Sequence, residues 1–156
     1  MKRIIIYGSQ YGTTKRYAIE LSERTGIKAY SYEEMKDLSI YDGIIYLGGL
    51  YAGGVLGLAK TIKLLPANGN KEIIIATVGL ADTKDITNTD NIQCSIQKQI
   101  PKDIYEGAKI FHLRGGIDYK KLDFKHRTMM KLLYNKVKNL PPEKQTAETR
   151  EMIKTY

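Results

Sequence analysis

The sequence predicts an α/β domain built on a five-stranded parallel sheet, and three observations predict it. Apolar, largely β-branched runs recur at Ile4-Ile5-Ile6-Tyr7, Gly43-Ile44-Ile45-Tyr46-Leu47 and Ile73-Ile74-Ile75-Ala76-Thr77-Val78, as strands covered on both faces require. Helical segments alternate with these runs and no hairpin turn signal separates them, which is the pattern of βαβ units with right-handed crossovers. Each long run also stops in glycine, where a strand must turn sharply into the next segment.

The elements follow in order. Residues 2–7 make the first strand. Thr13 opens the first helix, which carries Tyr17, Ala18 and Leu21 at helical spacing and stops at Gly26. Residues 27–30 form a short second strand, and the acidic stretch 32–38 a turn or short helix. The third strand spans 43–49, a loop covers 50–54, and a helix is expected over 55–65. Pro66 breaks the chain before the fourth strand at 72–79. A polar loop then leads to a helix at 91–99, ended by Pro101. Residues 109–113 make the fifth strand, and Asp123 can cap a last helix over 124–139. On that helix Met130, Leu133, Val137 and Leu140 share one face, expected to pack on the sheet.

The chain divides into a folded domain, 1–140, and a polar C-terminal tail, 141–156, after Pro141-Pro142. At 156 residues it is long enough for one hydrophobic core, and 42% hydrophobic with 27% charged residues is ordinary for a soluble domain. Met1-Lys2-Arg3 runs directly into the first strand, so a cytoplasmic chain without a signal peptide is expected. Cys94 is the only cysteine, which excludes an internal disulfide and suggests no metal site. His112, inside a strand, reads as a core residue.

Charge is unevenly spread. Residues 1–97 carry 11 Lys and Arg against 10 Asp and Glu, whereas residues 98–156 carry 14 against 7. Lys120, Lys121, Lys125, Arg127 and Lys131 lie together among aromatic residues. Either this is a solvated basic face, or it contacts an anionic membrane or an acidic protein. Nucleic acid is not expected, because charge alone favours it and no motif supports it.

In open α/β sheets a ligand sits beyond the carboxyl ends of the strands. There this sequence places Gly8 and Gly12, then Gly48 to Gly54, then Gly79, then Gly115 and Gly116. After the first strand, hydroxyls and glycines precede a helix N-terminus, where backbone N–H groups and the helix dipole favour an anion. Glycine clusters along one rim beside aromatic residues suit a flat ligand carrying a phosphate.

The run Gly8-Ser9-Gln10-Tyr11-Gly12-Thr13-Thr14 is similar to the FMN phosphate loop of flavodoxins, with Tyr11 standing where many of them have Thr or Ser. The segment from Gly115 to Leu132, with its Gly-Gly-Ile-Asp-Tyr turn and its Arg127-Thr128-Met129-Met130-Lys131-Leu132 helix, resembles the C-terminal signature of the flavodoxin-like, quinone-dependent protoporphyrinogen oxidases. It departs at Asp118, where the oxidase pattern is basic, and at Lys120, where it has proline. The resemblance implies a flavodoxin-like three-layer sandwich with strand order 2-1-3-4-5 and FMN as cofactor. It implies that Ser9, Gln10, Tyr11, Gly12, Thr13 and Thr14 hold the phosphate. The flavin ring would lie between Gly49, Leu50, Tyr51, Ala52 and Gly53 on one side and Val78, Gly79, Leu80 and Ala81 on the other. Tyr51 would stack on the ring or stand as an ordinary half-buried loop tyrosine, and Tyr119 sits at the rim.

Rival readings fail at particular residues. A receiver domain needs acids where Gly8-Ser9 and Gly48-Gly49 stand. A nicotinamide-binding domain needs a differently spaced glycine fingerprint. A low-molecular-weight phosphatase needs a cysteine in the first loop. What the resemblance implies is an FMN oxidoreductase passing electrons from a reduced organic substrate to a quinone or similar acceptor, peripheral to the inner face of the membrane if the basic face docks there. The alternative is an electron-carrying flavodoxin without its own substrate, although such carriers are typically acidic and this chain is basic.

Overall fold

The computed structural model describes residues 1–51, 53–67, 69–116 and 124–156, the side chains of His126 and Met129 aside. The long apolar runs become β1 (Arg3–Gly8), β3 (Gly43–Tyr51) and β5 (Glu72–Gly79). Shorter strands are β2 (Ala29–Ser31), β4 (Gly54–Val55) and β6 (Lys109–Arg114). The helices are α1 (Thr13–Thr25), α2 (Leu58–Ile62), α3 (Ile86–Gln99), α4 (Lys102–Gly107), α5 (Phe124–Val137) and α6 (Ala147–Thr155). The sheet runs β2-β1-β3-β5-β6, all parallel, with β4 paired antiparallel to β3 alone. Setting aside the two-residue β4, this is the expected order 2-1-3-4-5.

Both faces of the central strands are covered, so alternate residues of one isoleucine run enter different cores. Ile4 and Ile6 pack with Ile44, Tyr46, Ile73, Ile75 and the α3 residues Ile92 and Ile96. Ile5 turns the other way, toward Leu47, Ala76 and Ala18 of α1. Period-two alternation in a doubly covered sheet is what makes such a run uniformly apolar.

Three elements depart from the reading of the sequence. The expected helix over 55–65 shrinks to α2, because Val55 is held as a strand residue. Its N–H donates to Gln99 Oε1 at 2.8 Å, its carbonyl accepts from Gln99 Nε2 at 3.2 Å, and the Leu56 N–H reaches Gly49 O at 2.9 Å. The α3 helix begins five residues early, since the Asp85 carboxylate accepts from the Asn88 N–H and caps it. Pro101 does end α3, but it also opens α4, where the absent N–H costs nothing.

The last helices depart further. The apolar face of α5 packs among Met152 and Ile153 of α6, Leu140, and the loop residues Tyr11 and Leu80, not on the sheet. Phe111 on the edge strand β6 is accordingly 54% exposed. The tail read as polar carries α6, capped by Thr146, whose side chain accepts from the Thr149 N–H at 3.1 Å, with Met152 buried. Among the described residues no helix is long and apolar enough to cross a membrane.

Candidate functional site

The rim at the carboxyl ends of β1, β3, β5 and β6 encloses a gap of about 40 Å³. Its lower wall is the loop after β1. Gly8 must be glycine there, because a Cβ would lie 2.2 Å from the Leu56 carbonyl oxygen. The loop closes on itself when Ser9 Oγ accepts the Gly12 N–H at 3.1 Å, and Gly12, at φ 95°, turns the chain into α1. The first intrahelical bond runs from Arg16 N–H to Gly12 O at 3.0 Å, so the N–H groups of the first helical turn face outward without intrahelical acceptors. That is an anion-receptive end.

Two hydroxyls tie α1 to the strand that borders it. Thr13 Oγ1 donates to Gly116 O and Tyr17 OH to Arg114 O, each at 2.6 Å. Thr14, 4% exposed, faces the backbone at Gly49, where a Cβ would come 3.0 Å from its hydroxyl. Gly115 is equally confined, since a Cβ there would stand 2.7 Å from Val78 Cγ1 and 2.9 Å from Thr13 Cγ2. Glycines therefore let three strand ends approach one another closely.

The upper walls are Leu50 and Tyr51 on one side and Val78, Gly79 and Leu80 on the other. Tyr51 meets Tyr11 edge to face, with ring centroids 6.4 Å apart at 62°. The Tyr11 hydroxyl donates to Met130 Sδ at 3.2 Å, so this loop residue turns its polar end toward α5. Leu80 and Ala81 direct their N–H groups at the carboxylate of Glu148, which reaches in from α6.

Of the residues singled out by sequence, Gln10, Tyr11, Thr13, Thr14, Gly49, Leu50, Tyr51, Val78, Gly79 and Leu80 border the gap together. Ser9 and Gly12 close the loop that carries Gln10 and Tyr11, and Ala81, 2% exposed, contributes its N–H. Gly53 faces a second, larger space, its carbonyl accepting from Ser95 Oγ at 2.6 Å. Ala52 and Tyr119 lie outside the described residues, as do Lys120 and Lys121, whereas Lys125, Arg127 and Lys131 are exposed on α5.

Glu148 was not singled out. It stands in a polar stretch with no motif around it, and nothing local signals that its helix folds back onto β5. The larger space is a cleft of about 850 Å³ between α3 on one side and α5 and α6 on the other, contiguous with the gap through Tyr11, Leu50, Tyr51, Leu80 and Glu148. Met130, Leu133, Val137 and Met152 give it an apolar wall, and Asn91, Ser95 and Lys98 of α3 a polar one.

His112 lies away from the gap. Its Nδ1 is 2.8 Å from Thr77 Oγ1, while Nε2 is buried with no hydrogen-bond partner among the described residues. A proton added at Nε2 would have no acceptor, and burial holds the ring's pKa below the ordinary histidine range. Among the described residues no cluster of His, Cys, Asp and Glu could hold a metal ion.

Comparison with solved structures returns flavoproteins. A candidate flavoprotein from Bacteroides uniformis aligns at 16% identity over 83% of this chain and 97% of its own, with a TM-score of 0.51. One from Bacteroides eggerthii aligns at 14% over 84% and 96%, with a TM-score of 0.49. A flavoprotein from Lactobacillus acidophilus, solved in complex with FMN, aligns at 13% over 72% and 91%, also at 0.49. At such identities the first likeness speaks for the fold alone. No curated protein sequence gives a significant match. The family model described as flavodoxin domain matches residues 4–144, nearly the whole span from β1 to the turn before α6, and the chain therefore belongs to the flavodoxin-domain family.

Proposed function

We propose that the protein is an FMN-dependent oxidoreductase that takes electrons from a reduced organic substrate and delivers them to a quinone or similar acceptor, in the manner of the flavodoxin-like protoporphyrinogen oxidases. The observation that carries an enzyme rather than a carrier is the cleft of about 850 Å³ contiguous with the gap at Tyr51. A carrier that exchanges electrons through an exposed ring edge has no need of it, whereas a substrate does. Its apolar wall on α5 and polar wall on α3 suit a flat amphipathic ring system.

The donor set supports FMN at the other end. Outward-facing N–H groups of the first turn of α1, the Ser9 hydroxyl and the Thr14 hydroxyl make a phosphate cradle without a metal. Leu50, Tyr51, Val78 and Leu80 offer apolar and aromatic walls for the ring, and the Leu80 and Ala81 amides offer donors to its oxygen-bearing edge. With a flavin bound, two electrons and two protons leave the substrate as one double bond forms, and the same pair reduces quinone to quinol. The protein's own part is to fix the phosphate, exclude water from the ring, and align the substrate in the cleft.

The test has two arms. Purified protein titrated with FMN should bind it, quenching its fluorescence, and a protein that gains no flavin sinks the reading. Loaded protein should oxidise a porphyrinogen only when a quinone is present; one-electron exchange with a reductase and no turnover would instead identify a carrier. For the basic face, we propose contact with anionic headgroups. Neutralising Lys120, Lys121, Lys125, Arg127 and Lys131 should abolish salt-sensitive binding to anionic vesicles and leave FMN affinity unchanged.

A further inference from the structure

The two amides at the end of β5 are already engaged by a side chain from the opposite end of the chain. Leu80 N–H lies 2.8 Å from Glu148 Oε1 and 3.0 Å from Oε2, and Ala81 N–H lies 3.1 Å from Oε2. Successive N–H groups converging on one oxygen pair form a concavity that accepts an anionic or carbonyl oxygen. Here the chain fills it with its own carboxylate.

Three facts make that contact a closed state of the site. The gap of about 40 Å³ is narrow beside the adjoining cleft of about 850 Å³, and Glu148 lines both. Glu148 Oε2 stands so close to Gly79 that a Cβ there would meet it at 3.1 Å, so the carboxylate itself fills the volume beside β5. The α6 helix is otherwise held by apolar packing and surface contacts: Met152 and Ile153 pack in the cluster of Met130 and Val137, Tyr156 just beyond it stacks on Tyr134, and Glu151 meets Arg114 at 3.5 Å in a half-exposed, weak ion pair. The adjoining cleft is also lined by Thr146, Glu148, Thr149 and Met152. The carboxylate therefore has open space beside it to enter without α6 unfolding.

We propose that Glu148 is an internal stand-in for the ligand, so that α6 latches the gap until a planar ring bearing carbonyl or anionic oxygens displaces the carboxylate and takes over the Leu80 and Ala81 amides. The ring's identity as FMN rests on the function proposed above; the latch rests on the hydrogen bonds themselves. Displacement exchanges two amide bonds to a carboxylate for two to the ligand while the carboxylate regains water, so the exchange is near balance. A ligand that must open the latch binds with an apparent affinity lowered by the fraction of molecules closed.

The full-length protein, E148Q and E148A provide the test, read by amide hydrogen exchange and by FMN titration. In E148A the Leu80 and Ala81 amides should exchange about tenfold faster, FMN should bind about tenfold tighter, and E148Q should fall between. Adding FMN to the unmodified protein should raise exchange across α6. Unchanged exchange at Leu80 and Ala81 in both variants overturns the latch, whatever flavin does. Faster exchange with unchanged FMN affinity overturns the competition. Failure of all three proteins to bind FMN, with exchange still released in E148A, overturns the flavin reading and leaves the latch standing.

Discussion

The loop after β1 and the amide pair after β5 border the same gap, yet they are assembled in opposite ways. The loop is local: Gly8, Ser9, Gly12, Thr13 and Thr14 are near neighbours in sequence, and the bond that closes it spans three residues. The amide pair is engaged by a group 67 and 68 residues away, on a helix outside the βαβ series. A loop closed by its sequence neighbours needs only β1 and α1 in place. A remote contact can be opened and shut, because its partner helix can move without disturbing the sheet.

Disrupting the local end should give the largest effect. Ser9→Ala with Thr14→Ala removes two hydroxyls from the cradle, each a charge-assisted bond worth roughly 1.5–3 kcal/mol, and FMN affinity should fall by more than a hundredfold. Affinity within tenfold of the unmodified protein would mean that the phosphate does not sit there. Gly8→Ala comes next, and tests the loop as part of the fold. Its Cβ would fall 2.2 Å from the Leu56 carbonyl oxygen, backbone that cannot step aside cheaply, so the urea midpoint should drop by an amount worth about 3 kcal/mol at unchanged slope.

Gly79→Ala probes the remote end with a smaller perturbation. The added carbon would meet Leu50 Cδ1 at 2.6 Å and Glu148 Oε2 at 3.1 Å, both ends of side chains that can shift, so a loss of about 1 kcal/mol in stability is expected. Exchange at Leu80 should rise as Glu148 is pushed back, while the Gly12 amide stays protected. Equal disturbance of both amides would erase the distinction between the two ends.

The smallest expected effect lies outside both regions and calibrates them. Burial disfavours the protonated form of His112, so its folded pKa lies below the ordinary value. The sign follows: its contribution is fully present above about pH 6.5 and is lost as pH falls through that value toward the folded pKa, because the unfolded chain takes up the proton first. Thermal melts between about pH 7 and 5 should show a shallower decline in H112Q than in the unmodified protein, with FMN affinity at neutral pH the same in both. A parallel decline would assign the pH dependence to other groups.

How much of this was legible depends on how local each cause is. The doubly covered isoleucine runs and the loop from Ser9 to Thr14 are readable, because burial periodicity and a helix N-terminus act within a few residues, whereas the strand order is what the resemblance to flavodoxins implies. The shortening of the helix after Val55 is not readable, because the cause is Gln99, 44 residues on. The face of α5 was correctly seen as apolar but assigned to the wrong neighbour. Met130 and Val137 would satisfy a sheet as well as they satisfy α6, Leu133 stays exposed, and hydrophobicity carries no address. Glu148 offered nothing to read.

By itself, then, the sequence determined the parallel α/β layers and the anion-receptive loop, since both follow from contacts between residues close along the chain or from a periodicity any partner can satisfy. Only the tertiary structure decided that the C-terminal segment folds back as α6, that a cleft opens between it and α3, and that Glu148 takes the Leu80 and Ala81 amides. Those outcomes depend on which of several similar apolar faces meet, a choice made by the packing of the whole chain.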